Sequence, residues 1–269
     1  MVIILKSIYS LIKNPKLLIP DIISIIISFI LGTFFLKFNN LFSKDIYNSE
    51  IVKEIAYSII NNPDNSIKFF SSLIIALVLA FLVNLGITSI RFVLIKKTMK
   101  NKKLNLYESY KESHLYIWKI FFIRLFLALL YLVPLAALIF ILNFLKFEIS
   151  FILTMVLLLS SLFLIYLNSV FVFVYPILVL KNKKTAFAIK ESYLYFKKNK
   201  AKCFFTFLFV SIISYSLSLI INFIVIYSGI IVYDSYSILG YIVSIAWLIK
   251  SILNSPINVW QDLYIFGKY

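Results

Sequence analysis

Apolar residues fall along this chain in long unbroken runs, not in alternation or in narrow stripes. Six runs reach the ~20 predominantly apolar residues that an α-helix needs to cross the hydrocarbon of a bilayer. They cover residues 17–38, 69–95, 117–145, 149–180, 203–232 and 236–259. None alternates in the ten-residue segments of a membrane β-barrel. Only Lys146, Phe147 and Glu148 separate the third run from the fourth, and a short stretch around Asp234 separates the fifth from the sixth. Such links join antiparallel neighbours, so each pair is expected to form a helical hairpin. The longer runs permit tilt without setting its angle.

Composition agrees with the pattern. Hydrophobic residues are 62% of the 269 residues and charged residues 14%, with a mean hydropathy of +0.98. Soluble domains run at roughly 45–50% and 25%, and a water-facing surface could not hold the excess. The expected class is therefore all-α: a polytopic membrane protein with six transmembrane helices in three hairpins.

The basic residues set the direction. Lys6, Lys13 and Lys16, the basic residues from Arg91 to Arg124 and from Lys181 to Lys202, and Lys250 and Lys268 fall on one side and make up 22 of the 27 basic residues. Lys37, Lys44, Lys53, Lys68 and Lys146 fall on the other. Cytoplasmic loops carry the Lys/Arg excess, so both termini and both basic loops are expected inside the cell. An anionic leaflet attracts each such residue by about 1 kcal/mol, which accounts for the net charge of +16 without nucleic acid. The apolar run after Lys16 is too long for a signal-peptide core, and no small-residue cleavage site follows it. Richness in Ile, Phe, Lys, Tyr and Asn suggests an AT-biased prokaryotic genome, and hence a plasma membrane.

Short amphipathic segments precede three of the spans, and they repeat. Glu108-Ser109-Tyr110 matches Glu191-Ser192-Tyr193 at a shift of 83 residues. In the same register Lys119 falls on Lys202, Phe121-Phe122 on Phe204-Phe205, and Leu125-Phe126 on Leu208-Phe209. A weaker copy, Ser7 to Asn14, resembles Ser192 to Asn199. Each reads as a cytoplasmic interfacial helix lying in the headgroup plane. Asn105 is expected to cap the second, with Glu108 completing a capping box, and Thr185 to cap the third. Pro15 is expected to end the first. The units are then roughly 1–103, 104–184 and 185–269. The first carries an extra outer helix over 52–60, before a turn at Asn61-Asn62-Pro63-Asp64.

Pro176 near the end of a span, the basic turn after it, Ala188-Ile189-Lys190-Glu191-Ser192 and Lys198-Asn199 carry a resemblance. So do the opening Lys13-Asn14-Pro15 and Pro256 near the end of the last span. Together they resemble the membrane domain attached to some glycerophosphodiester phosphodiesterases, and the related stand-alone multi-pass proteins of bacteria and archaea. The resemblance implies a six-span membrane protein. It brings no phosphodiesterase chemistry, because the family's catalytic domain is a separate soluble barrel with no counterpart here.

Rare residues exclude much chemistry. One cysteine, Cys203, and one histidine, His114, leave no Cys/His zinc set and no intrachain disulfide. The five glycines are too scattered for a phosphate loop or a GxSxG elbow, and no GxxxG pair exists, so close helix packing must use Ala, Ser and Thr. His114 reads as a surface residue and Cys203 as a small apolar one. No catalytic residue, cofactor or metal site is expected.

Polar side chains inside the spans are the remaining candidates. Asp21, Arg91 and Arg124 lie at shallow cytoplasmic depth. They form either a buried ion cluster or a helix cap and two snorkelling arginines. Asn84 with Thr88, Asn168 with Ser161, and Ser218 with Asn222 form polar seams. These seams either pack helices or line a cavity. Pro134 is the candidate break at depth in a span. The first functional expectation is a non-catalytic protein acting through the lipid bilayer, above all anionic headgroups on the cytoplasmic face, or through a membrane-protein partner. The alternative is a transporter of a small solute or lipid. A lipid-modifying enzyme ranks last, for want of an acid/base pair.

Overall fold

A computed structural model describes residues 2–39, 61–144, 149–230 and 239–269, together with 53 and 57. Every regular element among them is helical: α1 (Val2–Lys13), a 3-10 turn (Pro15–Leu18), α2 (Ile19–Phe38), α3 (Pro63–Met99), α4 (Leu106–Phe144), α5 (Ile149–Phe171), α6 (Val174–Leu180), α7 (Thr185–Lys198), α8 (Lys200–Ile230) and α9 (Leu239–Lys268). Five stretches are long and apolar enough to cross a membrane: Pro15–Phe35, Pro63–Met99, Leu106–Leu142, Ser150–Leu180 and Lys200–Val225. These correspond to the first five expected spans. The sixth begins outside the described residues and lies within α9 from Leu239 onward. The links at 146–148 and 234 lie outside the described residues, as does the expected outer helix apart from 53 and 57.

The helix ends follow local chemistry. Asn14 precedes a proline, which disfavours the helical region, and it sits at φ −126°, ψ 68° as α1 stops. The Asn62 carboxamide oxygen accepts from the backbone N–H of Asp64 at 3.1 Å and of Asn65 at 3.4 Å, capping α3 at the expected turn. Asn105 likewise accepts from Tyr107 at 3.0 Å and Glu108 at 3.4 Å. At the other ends, α3 stops at Asn101 (φ 53°) and α6 at Asn182 (φ 49°). Lys102 N–H reaches back to the Lys97 carbonyl at 2.9 Å, and Lys183 N–H to that of Leu178 at 3.2 Å. Both are left-handed C-caps in which asparagine stands where glycine is commonest. Both occur in the same tetrapeptide, Lys-Asn-Lys-Lys, at 100–103 and 181–184. This second mark of the repeat lies outside the register read from the sequence.

Four expectations change. The interfacial segment before the third span is no separate helix, because α4 runs unbroken from Leu106 to Phe144 and continues through Pro134. Lys184, not Thr185, is the N-cap of α7, and it caps with no side-chain hydrogen bond. Glu108 sits beside Lys97, with 3.4 Å between carboxylate and ammonium, where the expected capping box would turn it back to Asn105. The break within a span falls at Val172 and Phe173, between α5 and α6. Pro176 explains it: its missing N–H frees the Val172 carbonyl, and its ring crowds that carbonyl.

The chain divides into two compact units. The first comprises Met1–Ser10, Phe92–Ile213 and Gln261–Tyr269. There α4 and α5 run antiparallel, with Phe126 on Phe171 (centroids 6.0 Å apart) and Tyr131 on Phe163 (6.4 Å). Its core gathers Val93, Leu94, Ile95, Tyr116, Ile120, Ile123, Val174 and Ile177–Val179. The second unit comprises Leu11–Arg91 and Ser214–Trp260. There α2 and α3 run antiparallel, joined at one end by Phe35 against Phe69 and by Asn39 donating to Ser72 at 2.9 Å, and at the other by Asp21 and Arg91. In none of the five apolar stretches is more than 17% of the most apolar window buried within the chain. Their remaining surface requires an apolar solvent.

The repeat is visible in burial. Ser7, Ser109 and Ser192, matched serines of the three copies, are all buried. In the register of 83, Ile120 and Cys203 are both buried, as are Ile123 and Thr206, while Phe122 and Phe205 are both exposed. The matched positions thus face the same way in both copies. In α1 only Ser7 is buried, while Val2, Leu5, Ile8 and Ile12 are exposed. In α7, Ala188 and Ser192 are buried, and Phe187, Tyr193 and Leu194 are exposed. Small side chains let helices approach closely, and Ser7, Ser109, Ala188, Ser192 and Thr206 are among those buried.

Candidate functional site

The second unit holds the first charged group. Asp21 stands in the first turn of α2, just after Pro20, and Arg91 lies on α3. One guanidinium nitrogen, Nη1, donates to both carboxylate oxygens, at 2.8 and 2.9 Å. Both side chains are largely covered, so the pair is a buried ion pair and not a cap with a snorkelling partner. One turn back on α3, the Thr88 hydroxyl donates to Asn84 Oδ1 at 3.3 Å, extending the polar face to three residues. Thr88 is buried and Asn84 exposed.

Arg124 belongs to the first unit and serves a different group. Its guanidinium hydrogen-bonds the Tyr175 hydroxyl, and Asp262 lies close enough to act on that hydroxyl electrostatically. Tyr175 stands just after the α5–α6 break, so the break aims this residue. Phe92 stacks between Tyr175 and Phe266, at 5.1 and 5.4 Å. Sequence reading missed Asp262. Its signal was present: a lone carboxylate near the end of a mostly apolar helix, where unpaired charge is costly.

The polar seams resolve differently. Asn168 is exposed and donates to its own helix at the Leu164 carbonyl, at 2.8 Å. Ser218 is half-buried. Asn222 Oδ1 is buried and accepts no hydrogen bond among the described residues. Asn84, Ser218 and Asn222 belong to the second unit and Asn168 to the first.

Two lysines of the first unit are held in clusters with glutamate and tyrosine. Lys96 donates to Glu112 at 2.7 Å and to the Tyr116 hydroxyl at 3.0 Å. Lys181 bonds Glu191, which also accepts from the Tyr269 hydroxyl at 3.0 Å. The Lys181 ammonium sits 5.2 Å from the centre of the Tyr269 ring. Its hydrogen bond to Glu191 holds Lys181 above the usual lysine value. Burial alone would raise Glu191, but the bonds from Lys181 and Tyr269 outweigh it and leave the carboxyl below its usual value. Burial pushes the Tyr269 phenol up, and its bond to Glu191 adds to the rise. These are the glutamate and the basic turn of the third repeat copy.

The first unit also holds a groove of about 500 Å³ on α8 and the end of α9, with Lys202 and Lys268 among otherwise mainly apolar walls. Among the described residues no three His, Cys, Asp or Glu side chains gather as a metal site would require. No family model, no curated protein and no solved structure matches the chain.

Proposed function

We propose that the chain is a non-catalytic multi-pass protein of a prokaryotic plasma membrane, holding anionic lipid headgroups, or a membrane partner, at a basic cytoplasmic face. In this reading six helices span the bilayer as three hairpins, with both termini inside. Kinship with the membrane domain of glycerophosphodiester phosphodiesterases belongs to the same proposal.

One observation carries it. The basic turns at 100–103 and 181–184 share one left-handed cap, and each leads into a helix that presents bulky apolar side chains outward beside lysines. Tyr107, Tyr110, Leu115 and Trp118 do so on α4, and Phe187, Tyr193 and Leu194 on α7. Aromatic and aliphatic groups at headgroup depth, flanked by ammonium groups, suit a leaflet rich in anionic lipid. Reporter fusions at residues 100 and 190 test the orientation, and an external location for either overturns it. Mass spectrometry of lipid retained on the purified chain tests the lipid. Anionic lipid held above its share in the membrane is expected, and retention in proportion to abundance removes that half of the proposal.

The transporter reading draws on the α5–α6 break and on the ion pair between the first two apolar stretches, because transporter sites use interrupted helices and intramembrane charge. Single cysteines at Asn84, Asn168 and Asn222, in a Cys203→Ser background, would test it. Labelling of all three by a membrane-impermeant thiol reagent favours a water-filled path. Protection of all three removes it.

A further inference from the structure

The groove in the first unit has a chemistry of its own. It runs along α8 from Lys202 to Ile213, with Tyr264 and Lys268 of α9 on its other side. Eleven residues of helix measure about 16 Å. Phe209 and Tyr264 meet within it, with ring centroids 5.4 Å apart. Eight residues separate Ile230 from Leu239 and extend at most about 28 Å. The 31-residue α8 is about 46 Å long, so α9 must return antiparallel to it. Lys202, seven residues before Phe209, and Lys268, four residues after Tyr264, therefore stand at the same end. Ile212 and Ile213 line the other end. Lys202 is held in place, its ammonium donating to the Tyr195 hydroxyl and lying 5.2 Å from the centre of that ring. Its repeat counterpart Lys119 lies 5.3 Å from the Tyr116 ring.

Two ammonium groups at one end and an apolar trough about 16 Å long are complementary to one anionic amphiphile. No carboxylate lines the groove to compete for the lysines. α8 is one of the helices apolar enough to cross a membrane, so the trough opens toward hydrocarbon, where a water-soluble peptide would not reach it. We propose that this groove binds a single anionic phospholipid, with its phosphate between Lys202 and Lys268 and one acyl chain along Phe205, Phe209 and Ile212. The proposal rests on the reading of the chain as a multi-pass protein with its basic ends at the headgroups, and it gives that reading a defined site.

The test is native mass spectrometry of the full chain, stripped of lipid in detergent. It is then offered equal phosphatidylglycerol and phosphatidylcholine with identical acyl chains. One phosphatidylglycerol per chain is expected to be retained in preference, and two lysines correspond to roughly thirtyfold. Lys202→Ala with Lys268→Ala should bring the ratio near unity, Lys202→Arg with Lys268→Arg should preserve it, and Ile212→Trp should reduce retention of both lipids by filling the trough. Thermal unfolding in lipid-free detergent should change little in the alanine pair, since the Lys202 bond to Tyr195 is exposed. If the wild-type chain prefers phosphatidylglycerol and the alanine pair keeps that preference, the groove is not the site although the lipid reading stands. If the wild-type chain has no preference, both fall.

Discussion

A single nitrogen of Arg91 holds both carboxylate oxygens of Asp21, joining two helices across seventy residues of sequence. Two charges so covered are tolerable only together, because removing one leaves the other buried and unpaired, at about 3–5 kcal/mol. Asp21→Asn and Arg91→Gln are each expected to lower the stability of the detergent-solubilised protein by that order. The double variant should lose less than the sum, by at least about 1 kcal/mol. A thermal-shift cycle in one detergent decides it, and additive losses would mean the pair is not coupled.

Ser192 carries a second prediction. Its hydroxyl donates to the Val170 carbonyl at 3.0 Å, in a fully buried position, one turn before the break that Pro176 imposes. It supplies a donor where the α5 ladder is ending. Ser192→Ala should therefore cost about 1–3 kcal/mol, the penalty of a buried acceptor left without its partner. Tyr193→Ala, at an exposed neighbour in the same motif, should stay within about 0.5 kcal/mol. Equal losses in the two variants would show that the motif's serine has no special place.

Much of this was readable in the sequence where one local rule decides. Runs of ~20 apolar residues announced the five stretches apolar enough to cross a membrane, Asn105 announced a helix start through its own side chain, and Asn61-Asn62-Pro63-Asp64 announced a turn. The reading stopped where a distant partner decides. Pro134 and Pro176 both interrupt apolar runs, yet only Pro176 breaks its helix, where Ser192 comes from another element to satisfy a carbonyl of the final turn. The Glu-Ser-Tyr repeat was evident, but not that its serine points inward while the greasy residues point out, because the periodicity of an amphipathic helix is the same whichever side faces the protein. Of the three ions grouped by depth, Asp21 and Arg91 form a pair, whereas Arg124 bonds Tyr175.

Asn101 and Asn182 give a third prediction. Each adopts the left-handed conformation, which asparagine tolerates and most residues resist by roughly 1–2 kcal/mol. Asn182→Ala should lower stability by about 1 kcal/mol, and Asn182→Gly should hold or raise it. The same pair of substitutions at Asn101 should behave alike, since both turns close with the same backbone bond. A glycine variant less stable than the alanine one would mean that the asparagine side chain, not its backbone, matters.

The cluster of Lys181, Glu191 and Tyr269 makes stability depend on pH at both extremes. Glu191 titrates below its unfolded value, so its contribution is present above the ordinary glutamate range and is lost as pH falls through the depressed folded value. Lys181 titrates above its unfolded value, so its contribution is complete below the ordinary lysine range and is lost as pH rises through the raised folded value. The raised Tyr269 phenol adds to the alkaline loss in the same sense. Lys181 is partly solvated, so the ion pair should be worth only about 0.2–1 kcal/mol and should weaken with salt. Glu191→Gln is expected to flatten the acid limb of a stability–pH curve below about pH 4.3, and Tyr269→Phe to soften the alkaline limb near pH 10. Thermal unfolding of the solubilised chain from pH 3 to 11, at low and high salt, measures both. An acid limb unchanged by Glu191→Gln would place the titrating carboxylate elsewhere.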